Sequence, residues 1–267
     1  MMAAAPAAPR FRSMAAISGA PVSARGVLPL TAMQATLFEF RHRWWVIFFI
    51  FCASFWSYFF DPVNSGQAIA DTLGKWSGRA ATRNDYRLIF AAGAFLVALA
   101  SLWRTWGTSY LRAEVMRDAR VHTERLLADG PYRHVRNPLY LGNILLAAGL
   151  GLMASRTGFA ILVLGLTVFV LRLILREEAE LREHQGEPYR RYCAAVPRLV
   201  PSLLPRVAAG GNVPQWGQGF RAELMYWMFA VAMGAFAWTL NIKIFWGGAA
   251  AAMAAAFLEK RPETKQP

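Results

Sequence analysis

Six apolar runs divide this chain: residues 44–60, 88–103, 139–154, 157–175, 222–240 and 242–258. Each comes close to the about 20 apolar residues that a helix needs to cross a bilayer. Backbone polar groups in hydrocarbon must be satisfied within their own segment, which leaves the helix as the spanning element. Only Ser155 and Arg156 separate the third run from the fourth, and only Asn241 the fifth from the sixth. Each of these pairs is expected to form a helical hairpin. Composition agrees, with 56% of residues hydrophobic and 17% charged, against about 45–50% and 25% in soluble domains. A disordered chain is excluded and an ordinary soluble enzyme disfavoured. The expected fold is all-α, a polytopic transmembrane helical bundle of six spans.

The net charge is +13, from 29 basic and 16 acidic residues. In a soluble protein such a surplus suggests nucleic acid. Here the basic residues lie between apolar runs, where they set topology and meet lipid headgroups. No nucleic-acid partner is expected. With the N-terminus inside, 23 of the 29 basic residues fall on the cytoplasmic side. The other six are Lys75, Arg79, Arg83, Arg87, Arg156 and Lys243. The positive-inside rule then puts both termini in the cytoplasm, as in a multi-pass protein of a bacterial inner membrane or an endoplasmic reticulum-type membrane. Cys52 and Cys193 give neither a disulfide framework nor a metal cluster, and four His argue against zinc. Residues 1–38 hold Arg10, Arg12 and Arg25 without an acid, as a targeting segment or a disordered tail does. The remaining divisions are expected at 39–102 for two spans, 103–206 for a core with a hairpin, and 207–267 for a C-terminal hairpin and tail.

Two polar segments flank the hairpin of the third and fourth runs, both on the cytoplasmic side. Residues 129–143, DGPYRHVRNPLYLGN, carry a Gly130-Pro131 turn signal, and Pro138 is placed to start a helix after Asn137. Residues 172–205 carry Glu177 and Glu178 where the fourth helix leaves the bilayer, then a charge-dense stretch ended by Pro197, Pro201 and Pro205. The hairpin joins the two segments, so Arg136, Asn137 and Tyr140 are expected to face Arg172, Arg176, Glu177 and Glu178. Charges near a bilayer are costly unless paired or used, which makes these residues candidates for a site. A plainer alternative stays open: Arg172 and Arg176 snorkel and pair with the glutamates along their own helix.

These residues carry a resemblance. The order runs Gly130-Pro131-Tyr132, then Arg136-Asn137-Pro138-Leu139-Tyr140-Leu141-Gly142 and an apolar hairpin. After it come Glu177-Glu178, Leu181, Gly186, Tyr189, Tyr192, Val196-Pro197 and Pro201. This pattern resembles the superfamily of integral membrane methyltransferases that includes isoprenylcysteine carboxyl methyltransferase and the phospholipid methyltransferases. Trp106-Gly107 and Tyr110 resemble what precedes the core in relatives, so the likeness covers residues 103–205. Asn137 stands where the family usually has His, and Gln185 where it usually has Phe. Asn can keep a side-chain hydrogen bond but offers no titrating proton.

The resemblance implies S-adenosylmethionine (SAM) as methyl donor, a cytoplasm-facing cofactor pocket, no metal, and a lipid-borne or lipophilic acceptor entering from the bilayer. It implies that Arg136, Asn137, Pro138, Tyr140 and Gly142, with Tyr132, shape the pocket, and that Tyr189 and Tyr192 close it. Glu177 and Glu178 would hold SAM and face the acceptor, Glu178 with the larger effect on rate and Glu177 on cofactor affinity. Arg172 would orient an anionic acceptor. A carboxylate acceptor needs no base, whereas an amine must attack as the neutral form, with Glu178 as its proton acceptor. Two other classes compete. The NADPH-dependent membrane sterol reductases have an RHxNYxG segment and a YxxYC-like one, echoed from Tyr189 to Cys193, but the Glu pair is not their signature. A non-enzymatic membrane subunit would use the charges as structural pairs and leaves the ordered motifs unexplained.

Overall fold

Each of the six apolar runs is largely helical, since a nearly uncharged segment has no other way to satisfy its backbone away from water. The structure, a computed structural model, describes residues 33–117 and 128–259. Among the described residues there are ten α-helices and no strand. In chain order they are α1 (Leu37–Arg41), α2 (Arg43–Trp56), α3 (Ser65–Trp76), α4 (Arg83–Arg117) and α5 (Pro138–Gly151). They continue with α6 (Arg156–Gln185), α7 (Glu187–Ala195), α8 (Trp216–Ala222), α9 (Leu224–Thr239) and α10 (Ile242–Glu259). Two 3₁₀ turns, Ser57–Phe59 and Gly130–Arg133, extend α2 and precede α5. Of the tail expected over residues 1–38, residues up to 32 lie outside the described residues.

Length separates these helices. α6, and α4 over Arg83–Leu111, are long and apolar enough to cross a membrane; α2 with its 3₁₀ extension, α5, α9 and α10 are apolar but shorter. α4 is central and packs against α3, α5, α8 and α9, while α2 and α5 pack on α6 and α10 on α9. Phe90, Val97, Leu146, Leu150, Met233 and Phe236 fill the core where α4, α5 and α9 meet. Ala147, Leu162, Leu166, Val170 and Ile174 fill the core between α5 and α6. Small hydroxyl residues let α2 and α6 approach, as is common between membrane helices. The Ser54 hydroxyl donates to the Gly158 carbonyl at 2.9 Å, and the Ser57 and Ser155 hydroxyls share a hydrogen bond at 2.6 Å. At the same end Asp61 caps α6 by accepting from the Thr157 N–H at 2.8 Å and its hydroxyl at 2.9 Å. The Thr157 N–H, then its hydroxyl and Arg156, hold the Asp61 carboxyl down at about 2.

The C-terminal hairpin is bolted to α4 by an ion pair. Arg104 and Glu223 have side chains only 10% and 3% exposed, and Arg104 Nε donates to Glu223 Oε2 at 2.6 Å. Arg104 Nη2 donates to Glu223 Oε1 at 3.1 Å, and the Thr108 hydroxyl donates to the same oxygen at 2.6 Å. Arg104 Nη1 reaches α5, donating to the Leu139 carbonyl at 3.1 Å and to Asn143 Oδ1 at 2.8 Å. The Tyr226 hydroxyl also donates to Asn143 Oδ1 at 2.7 Å, and its ring lies 4.1 Å from the Arg104 guanidinium. Gly142 makes room for this cluster, because a Cβ there would meet Arg104 Cγ and the Ala100 carbonyl. Gly142→Ala is therefore expected to displace Arg104 and cost about 1–3 kcal/mol by overpacking, seen as a lower unfolding midpoint in detergent.

Candidate active site

Pro138 occupies the first position of α5, where its missing N–H leaves no bond unmade. Residues two apart on a helix point about 200° apart, so the two faces of α5 do different work. Gly142 is turned to α4. Tyr140 is turned to α6, where its hydroxyl donates to Glu177 Oε1 at 2.8 Å.

Residues 196–207 are laid along the turn that precedes α5. The Arg136 N–H donates to the Pro197 carbonyl at 2.9 Å, the Ser202 N–H to the His134 carbonyl at 2.9 Å, and the Arg206 N–H to the Arg133 carbonyl at 2.8 Å. From α7 the Tyr192 hydroxyl donates to the Tyr132 carbonyl at 2.8 Å. Tyr189 and Tyr192 are both buried, with ring centroids 5.9 Å apart. Burial pushes both phenols above their usual range, so they stay protonated as donors. Gly130 has a φ of +53°, which favours glycine, and a Cβ there would strike the Tyr110 ring. The upstream Trp-Gly-x-x-Tyr motif and the Gly-Pro-Tyr turn are thus one packing unit.

Glu178 is the polar centre of this arrangement. Its side chain is 1% exposed and receives Arg136 Nη2 at 3.3 Å, Arg182 Nη2 at 3.2 Å and Arg198 Nη2 at 3.0 Å. Asn137 Nδ2 approaches Glu178 Oε1 at 3.4 Å and donates to the Arg198 carbonyl at 3.2 Å. Three cations around one carboxylate leave a local surplus of positive charge. Arg136 also donates through Nη1 to the Cys193 carbonyl at 3.0 Å, while its buried Nε has no hydrogen-bond partner.

The meeting expected across the hairpin holds for Arg136 and Asn137 with Glu178, and for Tyr140 with Glu177. It is corrected for Arg172 and Arg176. Positions 172, 176 and 180 form one i, i+4 stripe of α6, and positions 178 and 182 another. Arg176 pairs with Glu180 at 2.9 Å and donates to the Ala35 carbonyl at 3.1 Å. Arg172 pairs with Glu39, ahead of α2, at 2.8 Å. Glu177 lies five residues from Arg172, about 140° round the helix, which turns it away from that arginine. Cys52 and Cys193 are free thiols.

Three residues of the site went unmarked in the sequence reading. Arg182 and Arg198 clasp Glu178, and the only signal for Arg198 was a basic residue inside the spaced prolines of VPRLVP. Asp129 is 3% exposed and accepts from the N–H groups of Gly210 at 2.6 Å and Asn212 at 3.1 Å, and from Asn212 Nδ2 at 2.8 Å. This fastens a glycine-rich loop to the start of the Gly-Pro-Tyr turn.

No curated protein and no solved structure matches the chain. The family model described as phospholipid methyltransferase matches residues 88–187. The match takes in most of α4, the turn and α5, and all of α6 with both glutamates; it stops short of Tyr189, Tyr192 and Arg198. Over that stretch the chain matches the phospholipid methyltransferase family, which lies within the superfamily of membrane methyltransferases that also holds isoprenylcysteine carboxyl methyltransferase.

Proposed function

We propose that this protein moves a methyl group from SAM to a lipid-borne or lipophilic acceptor at the cytoplasmic face of a membrane. The observation that carries the reading is the division of labour between two adjacent glutamates. Glu178 is enclosed by arginines, whereas Glu177 accepts from the Tyr140 hydroxyl and, among the described residues, has no ion-pair partner. SAM carries a sulfonium, an ammonium and a carboxylate, and this residue set suits it. Glu177 has negative charge to spare for the cationic groups, and the cationic surplus round Glu178, with the unpartnered Arg136 Nε, suits the carboxylate. When bound, SAM supplies an electrophilic methyl group. Displacement at that methyl needs alignment and charge complementarity more than covalent help.

In this reading Tyr140 fixes the orientation of Glu177, and Arg136, Arg182 and Arg198 form the floor and rim of the cofactor pocket. Tyr132, Asn137 and Pro138 frame the pocket, and Tyr189 and Tyr192 close it; Gly142, on the opposite face of α5, makes room for Arg104 instead. Arg172 orients an anionic acceptor. An amine acceptor would hand its proton to a glutamate, and Glu177, without an ion pair, is the one free to take it. Isoprenylcysteine-type carboxyl O-methylation and phospholipid-type N-methylation both fit this chemistry. The six-span arrangement with both termini in the cytoplasm belongs to the same reading, supported by the 23 basic residues on that side.

The test uses the full chain in lipid vesicles with labelled SAM. Glu177→Gln keeps the bond from Tyr140 and removes only the charge. Transfer is expected to fall by about 100-fold or more, with stability changed by less than about 1 kcal/mol. A wild-type protein that binds no SAM would overturn the function, and a Glu177→Gln protein at near wild-type rate would remove Glu177 from the site.

A further inference from the structure

The segment ahead of α2 lies outside the family match, yet it is laid across α6 at Arg172 and Arg176. Ala35 is 2% exposed; its N–H donates to the Arg172 carbonyl at 3.0 Å, and its carbonyl accepts from Arg176 Nη1 at 3.1 Å. Glu39 closes a capping box at α1, with Oε2 accepting from the Thr36 N–H at 2.6 Å. The same oxygen accepts from Arg172 Nη2 at 2.8 Å. The Arg172 hydrogen bond holds the Glu39 carboxyl below the usual carboxylate range, so it is ionised at neutral pH. Phe40 packs in one apolar cluster with Tyr140, whose hydroxyl holds Glu177. The segment therefore borders the proposed acceptor side.

Its hold on Arg172 is loose by construction. α1 has five residues, none of them buried, and the side chains of Arg172 and Glu39 are 28% and 29% exposed. Half-exposed pairs exchange partners at little cost, unlike the enclosed pairs of Glu178. A guanidinium binds a carboxylate or phosphate best with two parallel N–H donors. Glu39 takes one of these, Nη2.

Resting on the reading of Arg172 as the acceptor-side cation, we infer that Glu39 is a specificity-determining residue whose carboxylate occupies Arg172 in place of the acceptor's anionic group. An acceptor bearing a carboxylate or phosphate must displace it, and one without an anion need not. Glu39 acts through Arg172, so it is a positioning residue. Selection against weakly anchored anions follows, because only a group that offers Arg172 more than one oxygen outcompetes a tethered carboxylate.

The experiment measures binding of oleate and of oleylamine, equal in chain length, to the full chain in detergent, with SAM binding followed on the same samples. Glu39→Gln, which keeps an acceptor for the Thr36 N–H, is expected to tighten oleate about fivefold and not to tighten oleylamine, a cation that gains nothing from a freed Arg172. Glu39→Asp, which keeps the charge, is expected to behave like wild type, and Arg172→Gln to weaken oleate whichever residue stands at 39. Glu39→Ala serves as the second variant should Gln disturb folding. Unchanged oleate affinity in both Glu39→Gln and Glu39→Ala, or equal tightening of oleate and oleylamine, would overturn the inference. Absence of SAM binding in wild type would overturn the methyltransferase reading alone, since the oleate shift does not depend on it.

Discussion

Glu178→Gln is expected to abolish methyl transfer and to lower unfolding free energy by about 3–5 kcal/mol, the usual effect of removing one partner from a buried pair. The three arginines respond differently. Arg182 and Arg198, with side chains 42% and 37% exposed, can turn to water, but Arg136 is 8% exposed and is left as a buried cation. The penalty therefore belongs to Arg136. A double variant, Arg136→Met with Glu178→Gln, is expected to regain much of the stability and none of the activity, because it removes the stranded charge. Denaturation in detergent and SAM binding, measured on the singles and the double, separate the two effects. A Glu178→Gln protein as stable as wild type, but inactive, would mean that Glu178 acts on the reactants directly. The larger rate effect expected of Glu178 from sequence would then stand.

Glu223→Gln is expected to cost a similar 3–5 kcal/mol, for the same reason at a different place. It strands Arg104 between α4, α5 and α9 and leaves the Thr108 hydroxyl with a weaker acceptor. Because this pair fastens the C-terminal hairpin to α4, the loss is expected to be local at first. Residues 207–215 should become the preferred site of limited proteolysis, with α8, α9 and α10 released as one fragment. Replacing both Arg104 and Glu223 by Met should restore protease resistance, since an apolar pair of similar volume carries no desolvation penalty. Unaltered digestion of Glu223→Gln would show that Trp227, whose Nε1 donates to Thr105 Oγ1 at 3.0 Å, and the α4–α9 core suffice to hold the hairpin.

What could be seen in the sequence follows from the range of each effect. Apolar runs are local, so α2, α4, α5, α6, α9 and α10 were all visible, as was the hairpin that brings residues 129–143 to residues 172–205. Partner choice is not local. Arg104 and Glu223 are 119 positions apart, and Glu223 carries no signal in the sequence beyond being an acid inside an apolar run. The pairing of Arg172 with Glu39 joins residues 133 apart, and no spacing rule on α6 could supply it. Within α6 the i, i+4 stripes were legible, but whether Glu178 would follow Arg182 or an arginine upstream depended on which face the 196–207 segment covers. That segment has no periodic pattern, so Arg198 had no signal beyond its charge. Short amphipathic helices such as α3 and α8 escaped for a different reason: their burial comes from neighbours, not from their own hydropathy.

The unequal lengths of the two hairpin arms have a consequence for access from the membrane. α6 has 30 residues and α5 only 14, so at 1.5 Å per residue the arms measure about 45 Å and 21 Å. In the proposed topology both start from the outer surface, where a tight turn joins them. A hydrocarbon layer of about 30 Å therefore overtops α5 by about 9 Å on the inner side, just where Tyr140 and Glu177 meet. No residue of α5 is exposed, so this step is a recess inside the bundle on its inner side, above the glutamate pair. On the proposed function, such a recess would let a membrane-borne methyl acceptor reach the glutamates while its chains stay in their own leaflet.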